Sequence, residues 1–158
     1  MASEDGTWKR LRNVLRDVHV SRVENLTEDG MPDVNGCHEG CEFWIELKQL
    51  DEWPKRKSTK VKVGMRESQL RWIAARGKAG GNVHVLAQVA DMYLLFWWKS
   101  VGRLYEGMTR EELYKEALYI TRSMNKTDLL LLITRRGEDY GRTFNNDPDS
   151  VGRGAGVS

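Results

Sequence analysis

An α+β fold, with a mixed β-sheet of about four strands flanked by helices, is what this 158-residue sequence predicts. Three observations carry that expectation. Along Phe43-Trp44-Ile45-Glu46-Leu47-Lys48 the residue types alternate as a strand requires, sending Phe43, Ile45 and Leu47 to one face and Trp44, Glu46 and Lys48 to the other. Two apolar runs, 82–89 and 92–98, stand either side of Ala90-Asp91 and read as buried strands joined by a turn. Apolar residues at helical spacing precede the first strands and separate them from that pair. A hydrophobic fraction of 40% with six Trp is enough for one core. A single domain is therefore expected over residues 1–134, with its core at 7–100 and a helical addition at 109–134.

The chain opens with a polar segment, residues 1–6. Thr7 is a good N-cap for a helix whose Trp8, Leu11, Leu15 and Val18 share a face, with Lys9, Arg10, Arg12 and Arg16 elsewhere on its surface. Residues 20–27 alternate enough for a short strand leading into Gly30. Pro32-Asp33-Val34 and 43–48 are then two strands joined by a loop that holds Gly36 and Gly40. Pro54 and a run of polar residues make 50–64 a loop, the most basic stretch of the chain. The spacing predicts a helix over 66–76 with Leu70, Ile73 and Ala74 inward and Gly77 as its stop. Gly80-Gly81 turns the chain into the two apolar strands. Thr109 with Glu112 forms a capping box opening a helix that carries Leu113, Ala117, Ile120 and Met124. Residues 127–133 are a further apolar run, helix or strand. From 135 onwards the Gly-, Asp- and Arg-rich composition has too little apolar material to pack, and a disordered tail is expected.

A formal net charge of +2 excludes a global polycation, so any nucleic-acid contact must come from local clusters. Lys55, Arg56, Lys57, Lys60 and Lys62 form such a cluster directly after the 43–48 strand, where they could neutralise backbone phosphates. The alternative is an ordinary solvated loop. Two Cys without a signal peptide suit a reducing compartment, and no apolar run approaches the ~20 residues that span a bilayer. A soluble protein of the cytoplasm is the expectation, with no membrane partner. Cys37, His38 and Cys41 have no second Cys pair to complete a structural zinc site, so they read as a turn with two buried thiols. His84 reads as a packed histidine within a strand.

The chemistry concentrates on Asp33, Glu46 and Lys48. Glu46 and Lys48 lie two residues apart on one strand face, and Asp33 on the preceding strand can meet them. Two carboxylates held together raise each other's pKa unless a cation sits between them. Mg²⁺ takes oxygen ligands and keeps several waters, which makes it the natural resolution, with Mn²⁺ able to substitute. Lys48 is left to orient an attacking water or to offset charge on a phosphate.

Pro32-Asp33, twelve intervening residues and Glu46-Leu47-Lys48 resemble the PD-(D/E)xK nuclease signature. The wider context from Glu24 through Gly30 to Gln69 is similar to the small stand-alone VRR-NUC nucleases and to the Holliday junction resolvases, over roughly residues 20–89. The resemblance implies a restriction-endonuclease-like core and an endonuclease that hydrolyses DNA phosphodiester bonds with Mg²⁺. It also implies branched or otherwise structured DNA as substrate, a homodimer, and a place in DNA recombination and repair. Asp33, Glu46 and the backbone carbonyl of Leu47 would then be metal ligands. A further acidic ligand is expected upstream; Glu24 is the candidate, and Asp17, Glu28 and Asp29 are the alternatives. Gln69 matches a Gln that these nucleases carry near the catalytic face; an exposed helical Gln is the alternative. The rival to the whole is a non-catalytic nucleic-acid-binding module with the same fold. A third possibility makes Glu46 and Lys48 a surface ion pair, worth under ~1 kcal/mol.

Overall fold

The computed structural model describes residues 4–24 and 28–134. The expected tail from 135 lies outside the described residues, as do the last positions of the strand expected at 20–27. Five helices and six strands follow one another as α1 (Glu4–Val14), β1 (His19–Arg22), β2 (Val34–His38), β3 (Cys41–Leu50), α2 (Glu67–Lys78), β4 (Val83–Val89), β5 (Met92–Trp97), α3 (Val101–Glu106), α4 (Arg110–Glu116), β6 (Tyr119–Thr121) and α5 (Lys126–Ile133). A 3₁₀ turn, Trp98–Ser100, precedes α3. The strands form one mixed sheet in the order β1-β2-β3-β4-β5-β6. β3 and β4 are parallel and every other neighbouring pair is antiparallel. The α+β architecture is as expected, with six strands instead of about four; the short strand expected from residue 20 is present as β1, and β6 is an addition.

β3 is the axis of the molecule and is buried on both faces. Phe43, Ile45 and Leu47 join Val34, Leu86, Leu95 and Tyr119 in one core, which α1 closes with Leu11 and Leu15 and α5 closes with Leu129, Leu132 and Ile133. Trp44 belongs to the opposite core with Ile73 of α2, Val83, Val85, Leu104 and Leu113. Alternation along β3 therefore splits its side chains as the sequence requires, and Glu46 and Lys48 face the side covered by α2.

Four local expectations are corrected. Thr7 is not an N-cap: α1 begins at Glu4, whose charge and that of Asp5 suit the positive end of a helix. The Thr7 hydroxyl instead donates to Gln88 Oε1 at 2.8 Å. Gly77 does not stop α2, which runs on to Lys78. It lies buried beneath Trp98, where a Cβ would come within 2.1 Å of the indole. Ile120 and Met124 are not on the helix opened by Thr109, because that helix ends at Glu116; Ile120 pairs with Leu94 in the sheet and Met124 lies between β6 and α5. Its capping box is as expected, with Glu112 N–H donating to Thr109 Oγ1 and Thr109 N–H to Glu112 Oε1. Gly36 is not in a turn but within β2, pressed on the Phe43 ring. The β2–β3 reversal uses Glu39 and Gly40, both at positive φ, as a two-residue hairpin demands. Residues 126–133, open between helix and strand, are helical, with the Asn125 side chain accepting from Asp128 N–H at 3.1 Å. Among the described residues no helix is long and apolar enough to cross a membrane.

Candidate active site

The ladder between β2 and β3 ends at Val34 paired with Ile45. Beyond that point β3 has lost its antiparallel neighbour, and Asp33 fills the gap by accepting from Leu47 N–H at 2.9 Å through Oδ2. Asp33 is itself fixed by its backbone, whose carbonyl accepts from Val23 N–H at 2.7 Å. The N–H and C=O of one strand residue point to the same neighbour, so the Leu47 carbonyl is directed to the side that Asp33 occupies.

Glu46 is 1% exposed and lies beside the Asp33 carboxyl. Burial first, then the neighbouring Asp33 carboxyl, push the Glu46 carboxyl up to about 10; Lys48 acts in the opposite direction and Glu4 adds to the rise. Its Oε2 is buried with no hydrogen-bond partner among the described residues. A buried orphan acceptor on a strained carboxyl pair is a standing energetic fault.

Lys48, 5% exposed, does not pair with Glu46. Its ammonium donates to Gln69 Oε1 at 2.8 Å and to the Gly64 carbonyl at 3.2 Å. Gln69 Oε1 also accepts from Arg66 N–H at 2.9 Å, so this one buried oxygen fixes both the start of α2 and the lysine. The turn before Asp33 is clamped to the same helix. A Cβ on Gly30, at φ +90°, would fall 2.2 Å from the Ser68 carbonyl oxygen, Asp29 bridges Arg66 at 3.3 Å, and Trp72 Nε1 donates to Glu28 at 3.2 Å. Asp33, Glu46, Lys48 and Gln69 are thus gathered in one place by β3, α2 and the segment before β2.

Glu24 is exposed, two residues past the end of β1. The acidic residue whose field reaches Glu46 from the N-terminal region is Glu4, on the first turn of α1. Thr7 docks that turn over Gln88 and Gln49, at the C-terminal ends of β4 and β3. The sequence reading passed over Glu4 as part of a loose polar start; acidic residues before an amphipathic run were the available cue. No group of three or more His, Cys, Asp or Glu among the described residues is arranged to share a metal. Two carboxylates and a carbonyl nevertheless suit an ion that takes oxygen ligands and retains several waters. The orphan Oε2 of Glu46, beside Asp33, marks where a cation fits.

Lys55, Arg56, Lys57, Lys60 and Lys62 are all exposed. Their loop is tied down by alternate burial of Val61 and Val63 and by a bridge between Val61 and Met108. Lys62 flanks Gly64, the acceptor of Lys48. Cys37 is exposed, not buried as expected, because it sits on an outward position of β2. Cys41 is buried and its thiol donates to the Thr134 carbonyl at 3.1 Å. His84 is fully buried, held down to about 3 by desolvation and packed 4.9 Å from Trp97.

No family model and no curated protein matches this chain. Among solved structures, the chain is similar to Hjc, a Holliday junction resolvase from the archaeal hyperthermophile Archaeoglobus fulgidus. The TM-score is 0.48 and the identity 13%, over 70% of this chain and 93% of that one. It is also similar to a VRR_NUC domain, with a TM-score of 0.39 and 21% identity over 65% of this chain and 95% of that domain.

Proposed function

We propose that the protein is a Mg²⁺-dependent endonuclease that hydrolyses DNA phosphodiester bonds. The observation that carries this reading is the buried Glu46, with an orphaned carboxyl oxygen, beside the half-buried Asp33 and next to a lysine that is not its ion-pair partner. A binding module gains nothing from such a pair. A surface ion pair is incompatible with Glu46 at 1% and Lys48 at 5% exposure.

Asp33 and Glu46 would hold the cation with the Leu47 carbonyl. Glu4, or Glu24 as the sequence suggests, would contribute negative charge at its edge. A divalent ion bound there would polarise a phosphate and lower the pKa of bound water. Asp33 is oriented by Leu47 N–H and Glu46 by burial, so neither carboxylate has to reorganise. Gln69 and Gly64 hold the Lys48 ammonium in place through neutral oxygens, and a fixed cation in a desolvated site offsets charge that grows on a phosphate during displacement. Lys55, Arg56, Lys57, Lys60 and Lys62 would engage the backbone of the substrate. Branched DNA and a homodimer form the finer part of the proposal; they follow from the resemblance of the Pro32-Asp33 and Glu46-Leu47-Lys48 motifs, and Hjc is itself a junction resolvase.

The test is cleavage of linear, nicked, flapped and four-way DNA with Mg²⁺, Mn²⁺ or chelator. Asp33→Asn and Glu46→Gln should each abolish cleavage while DNA binding in chelator persists. Cleavage by either variant near the wild-type rate refutes the assignment.

A further inference from the structure

Arg110 lies close to the basic loop and is held against two aromatic rings. Its guanidinium lies 4.5 Å from the Trp53 ring centroid and 5.4 Å from that of Tyr114. Those two rings meet edge to face at 5.7 Å, which makes a rigid corner under the charge. Nε and Nη2 both donate to the Tyr114 hydroxyl, at 3.1 and 3.0 Å. The other N–H groups, including both on Nη1, have no partner among the described residues, and Arg110 makes no ion pair there. By contrast, Arg103 is shared by Glu112 and Glu116, and Arg122 is paired with Asp91.

The position of Arg110 gives those spare donors a target. It lines a groove together with Lys55, Arg56 and Lys57. None of these three has an ion-pair partner among the described residues. The acidic residue on the groove, Glu111, is bridged to Lys115 at 3.3 Å. The groove thus carries four cations against one carboxylate that is already paired. The aromatic support distinguishes Arg110 from a merely solvated charge. An exposed lysine loses side-chain entropy when it meets an anion, whereas a guanidinium stacked on two rings has already lost it. Its planar edge suits two oxygens of one phosphate.

From this we infer that Arg110, together with Lys55, Arg56 and Lys57, forms a phosphodiester-binding groove distinct from the Asp33–Glu46 centre, which takes the nucleic-acid backbone away from the point of cleavage. The inference rests on the proposed nucleic-acid substrate but not on the metal chemistry. Lys55, Arg56 and Lys57 belong to the loop that runs from the end of β3 to the start of α2. The last residues of that loop touch the candidate site, the Gly64 carbonyl accepting from Lys48 and Arg66 N–H donating to Gln69. A backbone lying in the groove would therefore enter along the segment that fixes Lys48.

The experiment is fluorescence anisotropy with a short fluorescein-labelled DNA duplex and full-length protein in chelator, across a salt series, for wild type, Arg110→Gln and Arg110→Lys. Urea midpoints establish that each variant is folded. Arg110→Gln should weaken binding roughly tenfold, as expected for loss of a charge-assisted hydrogen bond. It should also flatten the slope of log affinity against log salt by about 0.9. Arg110→Lys should keep the slope and lose less affinity, because it retains the charge but not the fork. A folded Arg110→Gln with wild-type affinity and slope overturns the groove. If Arg110→Gln weakens binding as stated but no divalent cation yields cleavage, the groove stands and the nuclease assignment falls. If the wild type shows no salt-dependent binding, both fall.

Discussion

Replacing Glu46 with Gln should make the metal-free protein more stable as pH rises relative to the wild type, although it removes a central residue of the site. Glu46 is pushed up to about 10 in the folded protein, from an ordinary value of 4.5, first by burial and then by Asp33. In the unfolded chain the same carboxyl loses its proton near the ordinary value. Between the two values the folded state holds a proton that the unfolded state has released, so stability falls with rising pH. The contribution is fully present below the unfolded value and is lost as pH climbs through the folded one. A single group of this kind changes stability by at most about 1.4 kcal/mol per pH unit. From about pH 6 to about pH 8 the wild type should therefore lose up to about 2.7 kcal/mol relative to the variant. Gln cannot ionise. Urea unfolding of both proteins in chelator at the two pH values measures the difference, and groups that titrate alike in both cancel. Saturating Mg²⁺ should restore the wild type and leave the variant unmoved. Parallel pH profiles for the two proteins would show that Glu46 is not held protonated, and the argument from the buried pair would fail.

Two further outcomes test other parts of the site. Lys48→Met should leave DNA affinity in chelator near normal while single-turnover cleavage falls by ~100-fold or more, the scale of one preorganised electrostatic group; a rate close to wild type would reduce Lys48 to a structural role. Gly30→Ala should destabilise by at least about 2 kcal/mol, combining left-handed strain with overpacking, because the new Cβ meets the Ser68 carbonyl. Gly40→Ala, also at positive φ but with open space around it, is the control and should lose only about 1–2 kcal/mol; equal losses in urea unfolding would remove the clamp on α2 from the account.

The alternation of β3 was legible because strand geometry admits no other arrangement of a two-residue period, and with it came the shared face of Glu46 and Lys48. The capping box at Thr109 was legible for a similar reason: its hydrogen bonds are local. What failed depended on partners distant in sequence. Thr7 looks like a cap until Gln88, eighty-one positions on, is placed against it. Gly77 looks like a terminator until Trp98 is laid over it. Ile120 fits a helical stripe, yet the open edge of β5 captures it as a strand. The site divides along the same line. Its motif residues could be recognised from spacing, but the approach of Glu4 depends on how α1 docks, and the partnership of Lys48 with Gln69 depends on where α2 begins.

The geometry of that partnership bears on why an unfavourable carboxyl pair persists at the centre of the sheet. Replacing a buried charged group by a well-packed apolar one is often neutral or stabilising, so stability alone gives no reason to keep Glu46. Lys48 relieves it only in part, through its field, since the ammonium itself is hydrogen-bonded to Gln69 and Gly64. The two sets of groups are held separately: the lysine by two neutral oxygens, Asp33 by Leu47 N–H, and Glu46 with one oxygen that has no partner among the described residues. A structural network would have joined them into one ion pair. Keeping a fixed cation beside a carboxyl pair that still lacks one partner leaves room for a second positive charge, which is the arrangement that a divalent ion and a phosphate together require.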